Sequence, residues 1–511
     1  MWKNNWKIAF RHILKNKTSS AINISGLAIG MAACLLILQF VSFELSYDQF
    51  HQNSDRIYRV VNDRYQNGRL VQHGTMTYSG VGRAMKEDFP DEVEAYSRME
   101  PFRSMIFIYG DKKTDESGLA VDNSFLSIFS FPLLAGDRNN ALSQPYAVVL
   151  SEKLAKKFLP HGDPQELVGK MVVIENDSLP YKVTGIIKNT PENSHLQFDF
   201  LLSYISLYSG NGQWTDADHN FTQADFWHYI LLKPGVDPRS LEAKFSSFSQ
   251  RHFQGNKVSG NDEVFHLQPL AKAHFATDLE YDFIKKSNPA TVWALLIVAF
   301  FTIGIAWVNY VNLATARSVE RAREVGVRKV VGALRMQLIR QFLFESLLIN
   351  SIGLLLALLL VSLAQPAYNH LLGIDLSLQY LFARGINSYS VLSGLALVLV
   401  AGVLVSGFYP AFVLSSFRPV AVLKGKFSNT GKGVFLRKVL VVGQFAITVG
   451  LIIGSIVVYR QISFMTKKDL GFNMDQVLVL KPPFLGRWSD STFFHSSNSI
   501  KEEVKKLTYV R

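Results

Sequence analysis

The sequence has a single cysteine and few charged residues for its size. Cys34 is the one cysteine among 511 residues, which excludes an intrachain disulfide framework and a zinc site built from several cysteines. Charged residues make up 18% of the chain, below the roughly 25% that is usual for soluble globular proteins. The 48% hydrophobic content excludes an intrinsically disordered chain, because it provides enough apolar surface to offset the entropy lost on ordering.

What the sequence has instead is a set of five long runs without Asp, Glu, Lys or Arg. These runs cover residues 21–43, 291–313, 346–364, 391–414 and 439–459. Each is about 19 residues or longer, which lets a helix cross a hydrocarbon core about 30 Å thick. We therefore predict a polytopic α-helical membrane protein whose five spans cover 21–43, 291–313, 342–364, 391–414 and 439–459.

The distribution of charge predicts the orientation of these spans. Segments 1–20, 314–341 and 415–438 together hold 18 basic and 2 acidic residues, whereas 44–290 holds 25 basic and 32 acidic residues. Short basic segments stay on the cytoplasmic side of a membrane. The N-terminus is thus expected in the cytoplasm, and 44–290 and 460–511 outside. The net charge of +12 reflects topology, so nucleic acid is not expected as a partner.

The N-terminal region combines an amphipathic segment with the first predicted span. Apolar and basic residues alternate at helical spacing over 1–20, which favours a helix lying in the cytoplasmic interface of the membrane. Gly26, Gly30 and Cys34 follow the small-xxx-small spacing of a close helix–helix contact. The residues 31–34 also resemble a lipoprotein cleavage site, but cleavage there would leave an apolar mature N-terminus, so an uncleaved anchor is the expectation.

Residues 44–290 are predicted to form a large α+β extracytoplasmic domain. Strands are expected at 56–61 and 147–150, and a hairpin from 171–174 and 181–187. Ser151 is a candidate N-cap for a helix over 152–158. The nine histidines of this region form no HExxH motif, and the chain has no GxSxG motif. We therefore predict neither a metal site nor a catalytic site.

A phosphate-binding loop is also absent from the sequence. The nearest candidate is the glycine-rich stretch 425–433, in which five residues instead of four separate Gly425 from Gly431. Gly433 stands where a P-loop needs a Ser or Thr for magnesium. The chain itself is therefore expected to bind neither ATP nor magnesium.

The most distinctive cytoplasmic stretch is 316–335, predicted to leave the second span as a short charged helix. Arg317, Arg321, Glu324 and Arg328 share one helical face, and the order of Glu324 and Arg328 favours an ion pair. Two glycines in this stretch permit a bend. Ordinary positive-inside charge is the alternative explanation. The predicted coupling residues are Arg317, Arg321, Arg323, Glu324, Gly326, Arg328, Lys329 and Gly332.

Several motifs resemble those of a known family. The stretch 323–333, REVGVRKVVGA, resembles the signature of the FtsX/MacB superfamily of ABC transporter permeases, with Val325 in place of the commoner isoleucine. FELSYDQFH at 43–51 and DRIYRV at 55–60 resemble the start of a MacB-like periplasmic core domain. Similar later motifs follow at 121–126, 129–136 and 189–195. The resemblance covers nearly the whole chain and is to large permeases of the Bacteroidetes type.

This resemblance implies an architecture and a set of partners. It implies a periplasmic core domain over 44–290 and an FtsX-like domain over 291–415 with three spans. A separate cytoplasmic ABC ATPase, which binds ATP and magnesium, is expected to contact 316–335. Other expected partners are inner-membrane lipid, a periplasmic adaptor or outer-membrane channel, and a second four-span unit in a dimer or pseudo-dimer.

The fifth predicted span suggests a second unit. A basic linker over 416–438, a span over 439–459 and an outside segment over 460–511 repeat the order seen at the N-terminus. We interpret this as the start of a second four-span unit in a C-terminally truncated eight-span permease. A natural five-span protein is the alternative.

The resulting functional hypothesis is the permease subunit of an ABC transporter that moves a hydrophobic compound, a peptide or a lipoprotein. A non-transporting FtsX-like scaffold that activates a periplasmic partner such as a cell-wall hydrolase is the alternative, and an anchored receptor is a third. Because Glu345 is the one charged residue near the interior of a span, an aqueous channel through the bundle is not expected.

Overall fold

The structure is a computed structural model of the chain. It describes residues 10–11, 14–15, 17–175, 179–208, 217–222, 225–254, 258, 260–282, 284–316, 325–378, 388–415, 431–468 and 491–506. Most of the predicted interfacial helix over 1–20 and most of the linker over 416–438 lie outside these residues. The chain divides into two compact units, one formed by 1–46 and 289–475 and the other by 47–288 and 476–511.

The first unit consists of long apolar helices. Four of them are long and apolar enough to cross a membrane, over Lys17–Leu45, Pro289–Ala314, Arg335–Leu372 and Arg437–Lys467. The fourth predicted span, 391–414, lies in a helix of which the described residues give a shorter apolar stretch, Ser393–Gly407, whereas the fifth, 439–459, lies within Arg437–Lys467. The described residues thus give four candidate spans and one shorter apolar helix where the sequence predicts five spans. The long helices are α1 (Lys17–Leu45), α8 (Pro289–Ala316), α9 (Arg335–Leu372), α10 (Ser388–Ser415) and α11 (Gly431–Lys467).

Helix α1 packs along both α8 and α9, and α9 packs along α10. Leu27, Met31 and Leu35 of α1 are buried in the apolar core that these helices share. Some polar side chains make hydrogen bonds between these helices. The Tyr368 hydroxyl donates to the carbonyl of Leu36 at 3.0 Å.

The second unit is built on one mixed sheet. Its described strands follow the order β12-β1-β11-β4-β5-β10-β7-β9-β6, with β2 paired to β1, β3 to β11, and β8 to β4 and β9. The strands are β1 (Ile57–Gln66), β2 (Arg69–Gly74), β3 (Met76–Thr77), β4 (Val93–Tyr109), β5 (Lys112–Val121), β6 (Leu133–Gly136), β7 (Ala147–Ser151), β8 (Met171–Ile174), β9 (Tyr181–Ile187), β10 (Phe200–Ser203), β11 (Phe226–Leu232) and β12 (Asn261–Pro269).

Short helices cover parts of this sheet. They are α2 (Val81–Asp88), α3 (Phe125–Ile128), α4 (Glu152–Phe158), α5 (Pro238–Glu242), α6 (Phe245–His252) and α7 (Leu270–Ala273), and α12 (Ser491–Lys505) follows the long helices. Three 3₁₀ turns span Pro164–Leu167, Tyr204–Tyr208 and Ala217–His219.

Among the described residues, three large apolar clusters form most of the core of this domain. One is rich in aromatic rings and includes Phe125, Phe129 and Phe131. A second packs α4 against the strands around β7 and β9. A third packs α2 and α6 against β1, β11 and β12. Strand β4 is 17 residues long and takes part in all three clusters, so they belong to one continuous body.

Local sequence signals in this domain agree with the structure. The Ser151 hydroxyl accepts a hydrogen bond from the N–H of Leu154 at 3.1 Å and caps α4. The strands predicted at 171–174 and 181–187 have these bounds and pair antiparallel. Residues 176–178, in the connection between them, lie outside the described residues.

Candidate functional site

The coupling segment is described from Val325 onward. Arg317, Arg321, Arg323 and Glu324 lie outside the described residues, so the predicted ion pair of Glu324 with Arg328 stays a prediction. Residues 325–330 form a short helix. Val325 at its start is buried with three side chains of α9, which are Leu338, Ile339 and Phe342. The Arg328 guanidinium donates to Gln341 Oε1 at 2.5 Å. These contacts fix the short helix to the beginning of α9.

Gly332 ends this short helix. Its φ is +98°, in the left-handed region. Its N–H donates to the carbonyl of Lys329 at 3.1 Å, and the N–H of Ala333 donates to the carbonyl of Arg328 at 3.0 Å. This pair of bonds is a Schellman motif, which favours glycine because glycine has no Cβ. The bend predicted from two glycines therefore lies at Gly332, whereas Gly326 is a buried residue inside the helix.

Apolar side chains around this bend are uncovered. Five of them are each more than half exposed in the structure. We call this set the coupling surface; it consists of Val327, Val330, Val331, Leu334 and Met336. Basic residues of the same segment, among them Lys329, accompany it in the sequence. An exposed apolar patch with a polar surround is typical of a protein-binding surface.

The predicted packing residues of α1 have different surroundings. A Cβ on Gly30 would stand 2.6 Å from the Cβ of Ala306 on α8, which is too close for two methyl groups. A Cβ on Gly26 would meet only Asn309 Nδ2, at an ordinary 3.6 Å. The Cys34 side chain is buried and lines a cavity between helices. Of the two glycines, Gly30 is thus the one where α1 and α8 approach more closely.

In the outside domain, polar groups that the sequence did not single out are buried together. Asp48 follows α1 by three residues, and its φ of +59° is in the left-handed region. Its carboxylate accepts from the N–H of His195 at 3.1 Å and from the Ser194 hydroxyl at 3.2 Å, and lies 2.8 Å from His195 Nδ1. His195 Nε2 contacts the Tyr229 hydroxyl at 2.6 Å. The start of the domain is thus tied to β11.

A second buried contact ties down the end of the domain. Arg59 of β1 and Asp282, seven residues before α8, have fully buried side chains, and Arg59 Nη2 lies 3.0 Å from Asp282 Oδ2. Arg59 also donates two hydrogen bonds to Gln268 Oε1, at 2.9 and 2.6 Å. Neither oxygen of Asp282 accepts a hydrogen bond from a described residue, so its attraction to Arg59 is ionic. Lys286 adds a second positive charge at 3.4 Å.

Burial and neighbouring charge shift several pKa values in this domain. Burial alone would raise the pKa of Asp48, but the charge and hydrogen bonds of His195, together with the charge of His51, hold it below its usual range. Burial lowers the pKa of His51 to about 4, although Asp48 opposes the shift. Burial raises the pKa of Glu100 to about 7, and the charge of Asp225 adds to this effect.

The contacts around Asp48 hold parts of the fold together and are not arranged for nucleophilic catalysis. The Ser194 hydroxyl donates to Asp48 and not to the histidine, so the group lacks the serine-to-histidine bond that activates a nucleophile. Within the described part of the chain, no group of three or more His, Cys, Asp or Glu residues is placed to hold a metal ion. These buried contacts hold both ends of the domain on the central strands β1 and β11.

Comparison with known proteins adds the family context. The chain matches the MacB-like periplasmic core domain over residues 20–248 and the FtsX-like permease C-terminal family over residues 296–418. It is 22% identical over 423 residues to the macrolide export ATP-binding/permease protein MacB of Campylobacter jejuni, covering 82% of this chain and 61% of that protein. The chain therefore spans about three fifths of the length of this relative.

Two other similar proteins are a permease and an isolated domain. An uncharacterized ABC transporter permease of Bacillus subtilis, YknZ, is 20% identical over 362 residues, covering 68% of this chain and 83% of that protein. The crystal structure of a domain of a putative permease protein from Porphyromonas gingivalis matches with a TM-score of 0.38 and 23% identity, covering 48% of this chain and 98% of that one.

Proposed function

Because the chain belongs to the FtsX/MacB superfamily of ABC transporter permeases, with a MacB-like periplasmic core domain and an FtsX-like permease domain, we propose that it carries ATP-driven motion across the membrane. A separate cytoplasmic ATPase would bind this chain and push on the coupling segment. The outside domain would respond by moving a hydrophobic compound, a peptide or a lipoprotein. The positive-inside charge pattern supports a cytoplasmic N-terminus and a periplasmic outside domain.

The observation that carries this proposal is the coupling surface. Its apolar side chains are uncovered, yet the segment also contains Arg328 and Lys329. Charged residues are costly in the hydrocarbon core, so lipid tails are a poor cover for this surface. A soluble protein with a complementary apolar groove and acidic rim suits it better.

The anchoring of the segment supports a mechanical role. Val325 and the Arg328–Gln341 bond hold the short helix against α9. A force applied to the coupling surface would therefore pass into α9 instead of deforming a loose loop. At the far side of the membrane, the buried contacts of Asp48 and Asp282 would pass movement of α1 and α8 into the sheet. An adaptor, an outer-membrane channel and pairing of four-span units are further parts of the proposal.

The test is capture of the ATPase from native membranes with the complete tagged protein. Val331 is 83% exposed on the coupling surface, and Val331→Asp would place a carboxylate in the proposed interface. Burial of one valine contributes about 1.5–3 kcal/mol, so we expect at least a tenfold loss of captured ATPase. Val258, 91% exposed in the outside domain, provides the matched control Val258→Asp.

Mass spectrometry of the eluates and their ATPase rates give the result. We expect the parent and the Val258→Asp variant to capture the same ABC ATPase in equal amounts. If the Val331→Asp variant captures as much as the parent, the coupling surface is not the binding surface. If no ABC ATPase accompanies the parent protein, the permease proposal itself is wrong.

A further inference from the structure

The helix bundle encloses a cavity that the proposed function does not use. Its volume is about 340 Å³, and it lies between α1, α8 and α10. This is at the small end of the volumes typical of ligand pockets. Met31 and Leu35 of α1 are among the lining residues, and none of the lining residues is charged. Phe300 and Leu397 also line it and are each 70% exposed, so the cavity opens at the surface of the bundle.

One hydrogen-bond donor and one acceptor lie beside this cavity, each buried and without a partner among the described residues. The indole of Trp307 lines the cavity, and its Nε1–H is buried without a hydrogen-bond partner among the described residues. Asn350 is fully buried; its amide nitrogen donates to the carbonyl of Ser346 and to Ser406 Oγ, but its Oδ1 has no described partner. Buried polar groups are nearly always hydrogen-bonded, so this pair has room for a partner, which is either a water or a polar group of a ligand.

Trp307 Nε1 and Asn350 Oδ1 both lie close to Gly402. A Cβ built on Gly402 would stand 2.7 Å from Asn350 Oδ1 and 3.0 Å from Trp307 Nε1. Both atoms therefore border the notch left by the missing side chain. A single group that accepts from Trp307 and donates to Asn350 would satisfy both.

We propose that this cavity binds a neutral amphipathic molecule with a hydrocarbon body and one hydroxyl group. A hydroxyl both donates and accepts, whereas a ketone or ester cannot donate to Asn350. A carboxylate or an amine would bring a charge into an uncharged lining, which costs too much without a partner. The body of the ligand would occupy the apolar volume and enter between Phe300 and Leu397. This site goes beyond the proposed function and does not depend on an ATPase.

The chain contains its own reporter for this site. Cys34 lines the cavity and is the one cysteine in the sequence. In lipid nanodiscs, the rate at which N-ethylmaleimide alkylates Cys34 would be measured by mass spectrometry with increasing 1-dodecanol or n-dodecane. We expect 1-dodecanol to slow alkylation in a saturable way and n-dodecane to need at least a tenfold higher concentration. Native mass spectrometry of the same samples counts bound alcohol if Cys34 reacts too slowly.

Three variants separate the hydroxyl contact from general packing. Trp307→Phe replaces the indole with a smaller aromatic ring that has no donor, and should raise the half-maximal 1-dodecanol concentration three- to tenfold, as loss of one hydrogen bond predicts. Gly402→Ala should abolish protection, because its methyl would fill the notch. Gly304→Ala, on the same helix as Trp307 and with open space around its Cβ, is the control and should behave like the parent.

Three results would overturn the proposal. Equal protection by n-dodecane and 1-dodecanol would mean that the polar pair recognises nothing and lipid tails fill the cavity. Unchanged 1-dodecanol potency in Trp307→Phe, the variant least disturbing to folding, would mean the same. Absence of both protection and bound alcohol in the parent would leave a bridging water as the partner of the two atoms, and no ligand site.

Discussion

The buried contact between Arg59 and Asp282 allows a quantitative prediction. Asp282→Asn would remove one charge of a pair whose side chains are both fully buried. Arginine cannot lose its proton in a protein, so Arg59 would remain as a buried cation with less compensation. Removing one partner of a buried ion pair typically costs about 3–5 kcal/mol. At about 1.4 kcal/mol per factor of ten, local opening around β1 and β12 should become at least a hundred times more frequent.

Hydrogen–deuterium exchange of the complete protein in detergent measures this opening. Peptides covering 57–66 and 261–269 report on the two strands that hold Arg59 and Gln268. We expect their protection to fall a hundredfold or more in Asp282→Asn, up to the limit set by unfolding of the whole domain. Peptides from α9 serve as an internal reference and should not change.

Two further variants test whether the unpaired buried charge causes the loss of protection. The double variant Arg59→Met, Asp282→Leu removes both charges and should recover most of the protection, because replacing a buried pair by apolar side chains is often neutral. Glu94→Gln breaks the half-exposed Arg56–Glu94 pair and should change protection less than tenfold. If Asp282→Asn itself changes protection less than threefold, the ionic contact does not hold the domain together.

Three other predictions follow from packing, burial and backbone conformation. Gly30→Ala should destabilise the bundle by about 1–3 kcal/mol, because its methyl would overlap that of Ala306; Gly26→Ala should stay near the parent when both are compared by thermal unfolding. Glu100 has its pKa raised to about 7, so its contribution to stability falls as the pH rises from about 4.5 through 7. Glu100→Gln should therefore stabilise the outside domain by up to about 3 kcal/mol at pH 8 and leave its stability unchanged at pH 4. The measurement is the unfolding temperature of the domain at the two pH values. Gly332→Ala should cost about 1 kcal/mol through backbone strain alone, since nothing lies within 4 Å of its Cβ position, and exchange over 325–334 should become about fivefold faster.

Composition and local sequence patterns predict much of the fold. The long uncharged runs predicted the apolar helices, because a span needs about 20 apolar residues in a row and little else. The Ser151 cap and the β8–β9 pair depend on residues a few positions apart, and the structure confirms both. The count of five spans is not confirmed, because α10 has a shorter apolar stretch among its described residues.

The buried contacts of the outside domain could not be predicted in the same way. Asp48 meets His195 across 147 positions of the chain, and Arg59 of β1 meets Asp282 from the segment that follows β12. One sequence does not specify which distant strands become neighbours. The polar pair of Trp307 and Asn350 was missed for a related reason, since it requires α8, α9 and α10 to converge at Gly402. The sequence offered one signal for this pair, which is that Asn350 is a single Asn within an apolar run.

The two ends of the outside domain lie side by side. The ring of Tyr47, which opens the domain, stacks on that of His274 near its end at a centroid distance of 3.4 Å, with the planes 6° apart. A domain whose ends meet can be excised from the chain, or exchanged, as one unit inserted between α1 and α8. A variant without the outside domain would retain the coupling segment and the 340 Å³ cavity. The same adjacency makes this point of the chain suitable for inserting the corresponding domain of a relative.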